Sequence, residues 1–72
     1  MGEFIDSGAV KVIEVIGISK DGFESAVDNA VAKASESIAG ITGVEVQNLS
    51  ARVSEGKVVQ YRANVKLAFA VR

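Results

Sequence analysis

From Val59 to Val71 every second residue is apolar without a break: Val59, Tyr61, Ala63, Val65, Leu67, Phe69 and Val71. Side chains alternate across a β-strand with period 2, so these residues share one face, and Val58, Gln60, Arg62, Asn64, Lys66, Ala68 and Ala70 share the other. An apolar face of this length needs a cover. The rest of the chain therefore has to supply an element that lies on it, while the face bearing Gln60, Arg62, Asn64 and Lys66 stays free for other contacts.

The cover is upstream. Phe23, Ala26, Val27, Ala30, Val31, Ala34, Ile38 and Ile41 recur at spacings of three and four, which predicts one side of a helix over 22–38, with Asp28, Lys33 and Glu36 mainly on the other side. The alanines on the buried side let such a helix lie close to a sheet. Ser19 or Asp21 is expected to cap its start, Asp21 with Glu24 resembling a capping box, and Gly40 to end it as a left-handed C-cap. Val10–Ile16 is rich in Val and Ile and reads as strand 1, closed by Gly17. Strand 2 is expected over Val44–Val53, after Gly43 in the connection. Its apolar phase slips from Val44 and Val46 to Leu49, Ala51 and Val53, as a bulge near Gln47 and Asn48 requires. Glu55-Gly56 then closes a hairpin into strand 3. Residues 1–8 lack periodicity and read as a flexible N-terminal arm or expression remnant, leaving 9–72 as the domain.

The order is β-α-β-β, an α+β class in which a three-stranded sheet of antiparallel type wraps around one amphipathic helix. A right-handed crossover sets strands 1 and 2 parallel with a gap between them, and strand 3 fills the gap, giving the order 1-3-2. Size adds a constraint. A 72-residue chain removes only about 60% of its unfolded-state surface from water, and without Cys or His it lacks disulfides and the usual zinc ligands. Oligomerisation is the ordinary remaining support. A 13-residue strand spans roughly 43 Å at about 3.3 Å per residue, against a compact radius of gyration near 11 Å. Strand 3 is thus expected to overhang its own domain, and both to curl strongly around the helix and to reach a neighbouring subunit.

Eight basic and nine acidic residues give a net charge of −1 with no basic cluster, which argues against a dedicated nucleic-acid binder. No apolar run approaches the roughly 18 residues of a membrane span and no signal peptide is visible, so the expected setting is the cytoplasm without a membrane partner. Catalysis is not expected: the commonest general base is missing, the serines have no partner pattern, and Gly17 and Gly22 form no phosphate loop. Two constellations remain. Asp21, Glu24 and Asp28 fall at i, i+3 and i+7, and read either as oxygen ligands for Ca²⁺ or Mg²⁺ or as a solvated acidic face suited to the helix dipole. Arg62, between Gln60 and Asn64 on its face, either pairs with Glu45 or Glu55 or offers its planar guanidinium to a carboxylate, a phosphate or an aromatic ring.

The segments KVIEVIG over 11–17, SKDGFESAVDNAVAKA over 19–34, GVEV over 43–46 and YRANVKLAF over 61–69 together resemble the dodecin family. The resemblance runs from about Val10 to Arg72. It implies a non-enzymatic subunit of a hollow homododecamer with cubic symmetry that stores flavins such as FMN, riboflavin or lumichrome. The flavins stack in pairs between tryptophans at a two-fold axis, and a glutamine on the last strand reads the isoalloxazine edge. By that correspondence Gly43, Val44, Glu45 and Arg62 stand at the ligand site, with Gly43 in place of the tryptophan and Arg62 in place of the glutamine. Base–aromatic stacking contributes roughly 1 to 3 kcal/mol per contact in comparable systems. Losing two contacts weakens flavin binding by about ten-fold to ten-thousand-fold. Three functions follow as expectations: a small-ligand store with weak or lost flavin binding, a true flavin buffer, or a calcium-binding or ligand-free relative.

Overall fold

The computed structural model describes residues 7–71, so most of the expected N-terminal arm lies outside the described residues. Four elements follow in order: β1 (Val10–Ser19), α1 (Phe23–Ser35), β2 (Ile41–Ser54) and β3 (Lys57–Ala70). The strands form one sheet in the order β1-β3-β2, with β3 antiparallel to both neighbours. This is the expected β-α-β-β architecture. Helix α1 packs mainly on β1 and β3 and barely touches β2.

The core is small because the helix is short. Thirteen residues of α1 cover about 20 Å at 1.5 Å per residue, less than half the length of the fourteen-residue β3. Only Ala63, Val65 and Leu67 of β3 are fully buried, with Ala26 and Ala30 of the helix against them and Ile13, Val15, Val27 and Val31 packed around. Val59 and Val71, at the two ends of the alternating run, stay about half exposed. The described residues extend over 49 × 20 × 15 Å with a radius of gyration of 14.0 Å, well above the roughly 11 Å of a compact chain of this length. The overhang anticipated for strand 3 is therefore present.

Several boundaries differ from expectation. Gly17 does not close β1 but lies inside it, opposite Ala63. A Cβ there would collide with the Ala26 carbonyl oxygen and stand 2.8 Å from Ala30 Cβ, so glycine at this point is what brings the helix down onto the sheet. The capping box does not form. Gly22 is the N-cap residue and makes no side-chain cap, while buried Ser19 accepts a hydrogen bond from the Asp21 N–H at 2.9 Å and donates one to Ser25 Oγ at 2.9 Å. The helix ends at Ser35 rather than Ile38. Gly40 takes φ +79° in the connection to β2, several residues beyond the C-cap Glu36.

Strand β2 runs longer than expected at both ends, and its register slips between Val46 and Asn48, which leaves Gln47 as the bulged residue. The slip restores phase, so that Val44, Val46, Leu49 and Ala51 all pair with the helix-side residues Leu67, Val65, Ala63 and Tyr61 of β3. Glu55 (φ 52°) and Gly56 (φ 77°) make the two-residue turn into β3, both with the positive φ that a type I′ hairpin requires.

Candidate functional site: the helix-free face of the sheet

The register arranges the face away from the helix as a series of rungs centred on β3. Val12, Ala68 and Gly43 form one rung, Glu14, Lys66 and Glu45 the next, then Ile16, Asn64 and Asn48, then Ile18, Arg62 and Ser50, and finally Gln60 with Arg52. The polar residues of strand 3 thus share one surface, as their alternation requires. Aliphatic residues of β1 border it: Val12, Ile16 and Ile18 are each about half exposed.

Gly43 and Ala68 hold this face open at one end. A hollow of about 220 Å³ is lined there by Val12, Gly43, Val44, Glu45, Lys66 and Ala68. On the helix side a second hollow, of about 160 Å³, meets Gly43 again, beside Val31, Ile41, Thr42 and Val44. A Cβ built on Gly43 touches only Ala68 Cβ, at an ordinary 3.5 Å. The position has room for a side chain and lacks one.

The sequence-derived ligand residues do not converge within one chain. Gly43 and Glu45 share the helix-free face with Arg62, but six residues of β3 separate the partner of Gly43, Ala68, from Arg62, a distance of roughly 20 Å. Val44 pairs with Leu67 and so belongs to the helix side. Arg62 pairs with neither Glu45 nor Glu55: its rung neighbours are Ile18 and Ser50, and among the described residues the ion pair found is Lys33 with Glu36, an exposed contact of 3.6 Å on the helix. Asn64, next to Arg62 on the same face, has a buried Oδ1 with no hydrogen-bond donor.

The three carboxylates do not form a metal centre in the chain. Asp21, Glu24 and Asp28 are exposed, and among the described residues no three acidic side chains gather where they could hold an ion. The physical reason is the late helix start. Asp21 precedes the N-cap Gly22, so it is off the helical grid that an i, i+3, i+7 stack needs. Phe23, expected in the helix interior, instead sits at the rim, 37% exposed, with its ring edge-on to Tyr61 at a centroid distance of 4.9 Å and 80° between planes.

The sequence model of the Dodecin family matches residues 9–72. The chain belongs to the dodecin family. Among solved structures, dodecin from Streptomyces coelicolor is similar at 33% identity and a TM-score of 0.86, over 89% of this chain and 91% of that one. A mutant of the T. thermophilus dodecin matches at 25% identity and a TM-score of 0.84, over 89% and 96% of the two chains. Dodecin from Streptomyces davaonensis, at 20% identity and a TM-score of 0.85 over 89% and 94%, shares the fold. No curated protein sequence matches. Among the described residues no helix is long and apolar enough to cross a membrane.

Proposed function

We propose that this chain is a non-enzymatic dodecin that binds and stores a small ligand as a hollow homododecamer in the cytoplasm, with flavin binding weak or lost. The observation that carries the reading is the hollow at Gly43 and Ala68. Where the family resemblance implies a stacking ring, this chain has open space of about 220 Å³, and Arg62 replaces the glutamine that would read the flavin edge. Assembly is supported by aliphatic residues left about half exposed on both sides of the sheet, Val44, Val46 and Leu49 beyond the helix and Val12, Ile16 and Ile18 on the other face. A chain of this size rarely sustains so much exposed apolar surface alone. The separation of Gly43 from Arg62 supports a site completed by a second copy.

Light scattering tests the assembly: a mass near twelve subunits is expected, and a mass near one subunit refutes it. Titration of riboflavin and FMN with micromolar protein tests the ligand. Little quenching of flavin fluorescence is expected; a yellow purified protein with strong quenching would sink the flavin-poor reading.

A further inference from the structure

The helix-free face is divided by charge. At the Gly43 end, Lys66 lies between Glu14 and Glu45. Toward the hairpin stand Arg62 and Arg52, placed diagonally, since Arg62 opposes Ser50 and Arg52 opposes Gln60 two residues further along β2; Lys57, opposite Ser54, follows on the next rung and Glu55 lies in the turn. Diagonal neighbours of this kind have Cα atoms roughly 7 to 8 Å apart, within reach of two long side chains converging on one group. The remaining neighbours of Arg62 on this face are Ser50, Gln60, Asn64, Asn48, Ile16 and Ile18. None is acidic, and neither arginine has an ion-pair partner among the described residues. Arg62 as a residue is half-buried, and no carboxylate stands beside it on this face.

We propose that Arg62 and Arg52, with the Ser50 hydroxyl between them, form an oxyanion site that takes the phosphate group of a small phosphate monoester. Two guanidinium forks suit a tetrahedral dianion, which offers each a pair of oxygens. A hydroxyl and an amide beside them complete hydrogen bonds that a single cation leaves open. Asn64, one rung along, has its Oδ1 covered by the chain itself and without a donor, which leaves Nδ2 as the end of the amide able to face a ligand. Nδ2 is a donor and suits a phosphate oxygen. Ile16 and Ile18, about half exposed next to Asn64 and Arg62, supply an apolar floor for the organic part of the ester. The inference rests on reading the chain as a small-ligand binder and gives that ligand a chemical class: its anionic group, rather than a stacked ring, is the principal handle.

The test is calorimetry and thermal melting of the full chain with sodium phosphate, phenyl phosphate and benzoate at matched ionic strength. Phosphate is expected to raise the melting temperature where chloride does not, and phenyl phosphate to bind several-fold tighter than inorganic phosphate. Arg62→Gln and Arg52→Gln are each expected to weaken phenyl phosphate binding by about tenfold, the loss of one charge-assisted contact. Absence of any phosphate response, or a response unchanged in the double variant, overturns the site. Equal binding of benzoate overturns the phosphate class. A fall in light-scattering mass in Arg62→Gln overturns it as well, since Arg62 then pairs with a carboxylate of another copy. Phosphate binding by a wild-type chain of single-subunit mass would remove the dodecamer and leave this inference standing.

Discussion

Beneath the helix and beside it, the same sheet is built in two different ways. Where α1 comes closest to β1 and β3, Gly17, Ala26, Ala30 and Ala63 meet, all four buried, and Val65 and Leu67 fill the core beside them. At Gly17 the close approach of helix and strand leaves no space for even a Cβ. Where the helix does not reach, β2 carries Val44, Val46 and Leu49 on the same side of the sheet, each about half exposed. The difference is one of ownership: the first region is closed by the chain itself, and the second keeps apolar surface that the chain has nothing to cover with. Two glycines mark the contrast, since a side chain on Gly17 runs into the helix and one on Gly43 meets only Ala68.

Truncating one leucine in each region separates them most sharply. Leu67 is completely buried, so Leu67→Ala is expected to lower stability by about 4 kcal/mol, independently of protein concentration. Leu49→Ala removes a half-exposed side chain and is expected to lower stability by about 1 kcal/mol within a subunit. Its larger effect should fall on assembly, as a denaturation midpoint that depends on concentration. Denaturant melts at two concentrations a hundredfold apart check both. An identical concentration dependence for the two variants would break the distinction between the regions.

The glycine pair comes next in size. Gly17→Val forces α1 away from the sheet and is expected to cost about 3 kcal/mol through overpacking, whereas Gly43→Ala should change stability by less than about 0.5 kcal/mol. Equal losses in urea unfolding would mean that the tight approach at Gly17 is not what holds the helix in place.

The sequence made the alternation of β3 legible, and with it both faces of the sheet and the order of the strands. The bulge at Gln47 was legible for the same reason, because a slip in apolar phase from Val46 to Leu49 has no other resolution in a strand that keeps one buried side. Gly17 was not. A glycine after a run of Val and Ile reads as a stop, and only the tertiary approach of Ala26 and Ala30 shows it to be a contact point within the strand. The helix start was misread because Ser19 and Asp21 have capping side chains, yet burial of Ser19 turns its hydroxyl toward Ser25 and the Asp21 N–H. That error carried into the site, since a helix starting at Phe23 leaves Asp21 apart from Glu24 and Asp28. The arginine pair also escaped notice: Arg62 and Arg52 are ten residues apart in sequence, and a further register shift, between Arg52 and Val53, brings them onto one face.

A double substitution sharpens the meaning of the open region. A side chain at Gly43 starts from a Cβ that meets only Ala68 Cβ at 3.5 Å, so Gly43→Trp is expected to move the melting temperature by no more than a few degrees. Combined with Arg62→Gln, it is expected to raise flavin affinity by about tenfold or more, the equivalent of restoring at least one stacking contact. Fluorescence titration with riboflavin reads this out. Unchanged affinity in a properly assembled variant would show that Gly43 and Arg62 do not stand where the family resemblance places them.

The smallest expected effect lies at the hairpin, which belongs to neither region and so serves as a local control. Glu55 holds φ 52° and Gly56 φ 77°, and a type I′ turn favours Asn before Gly because Asn tolerates the left-handed region better than Glu. Glu55 forms no ion pair among the described residues, so its replacement forfeits no contact of that kind. Glu55→Asn is therefore expected to stabilise the chain by about 0.5 kcal/mol. The gain is local backbone energy and should be the same at every protein concentration, unlike the change at Leu49. A gain that grows with concentration would instead place the hairpin tip in a contact between copies, and would extend the chain's uncovered surface to the end of β3 farthest from the hollow at Gly43.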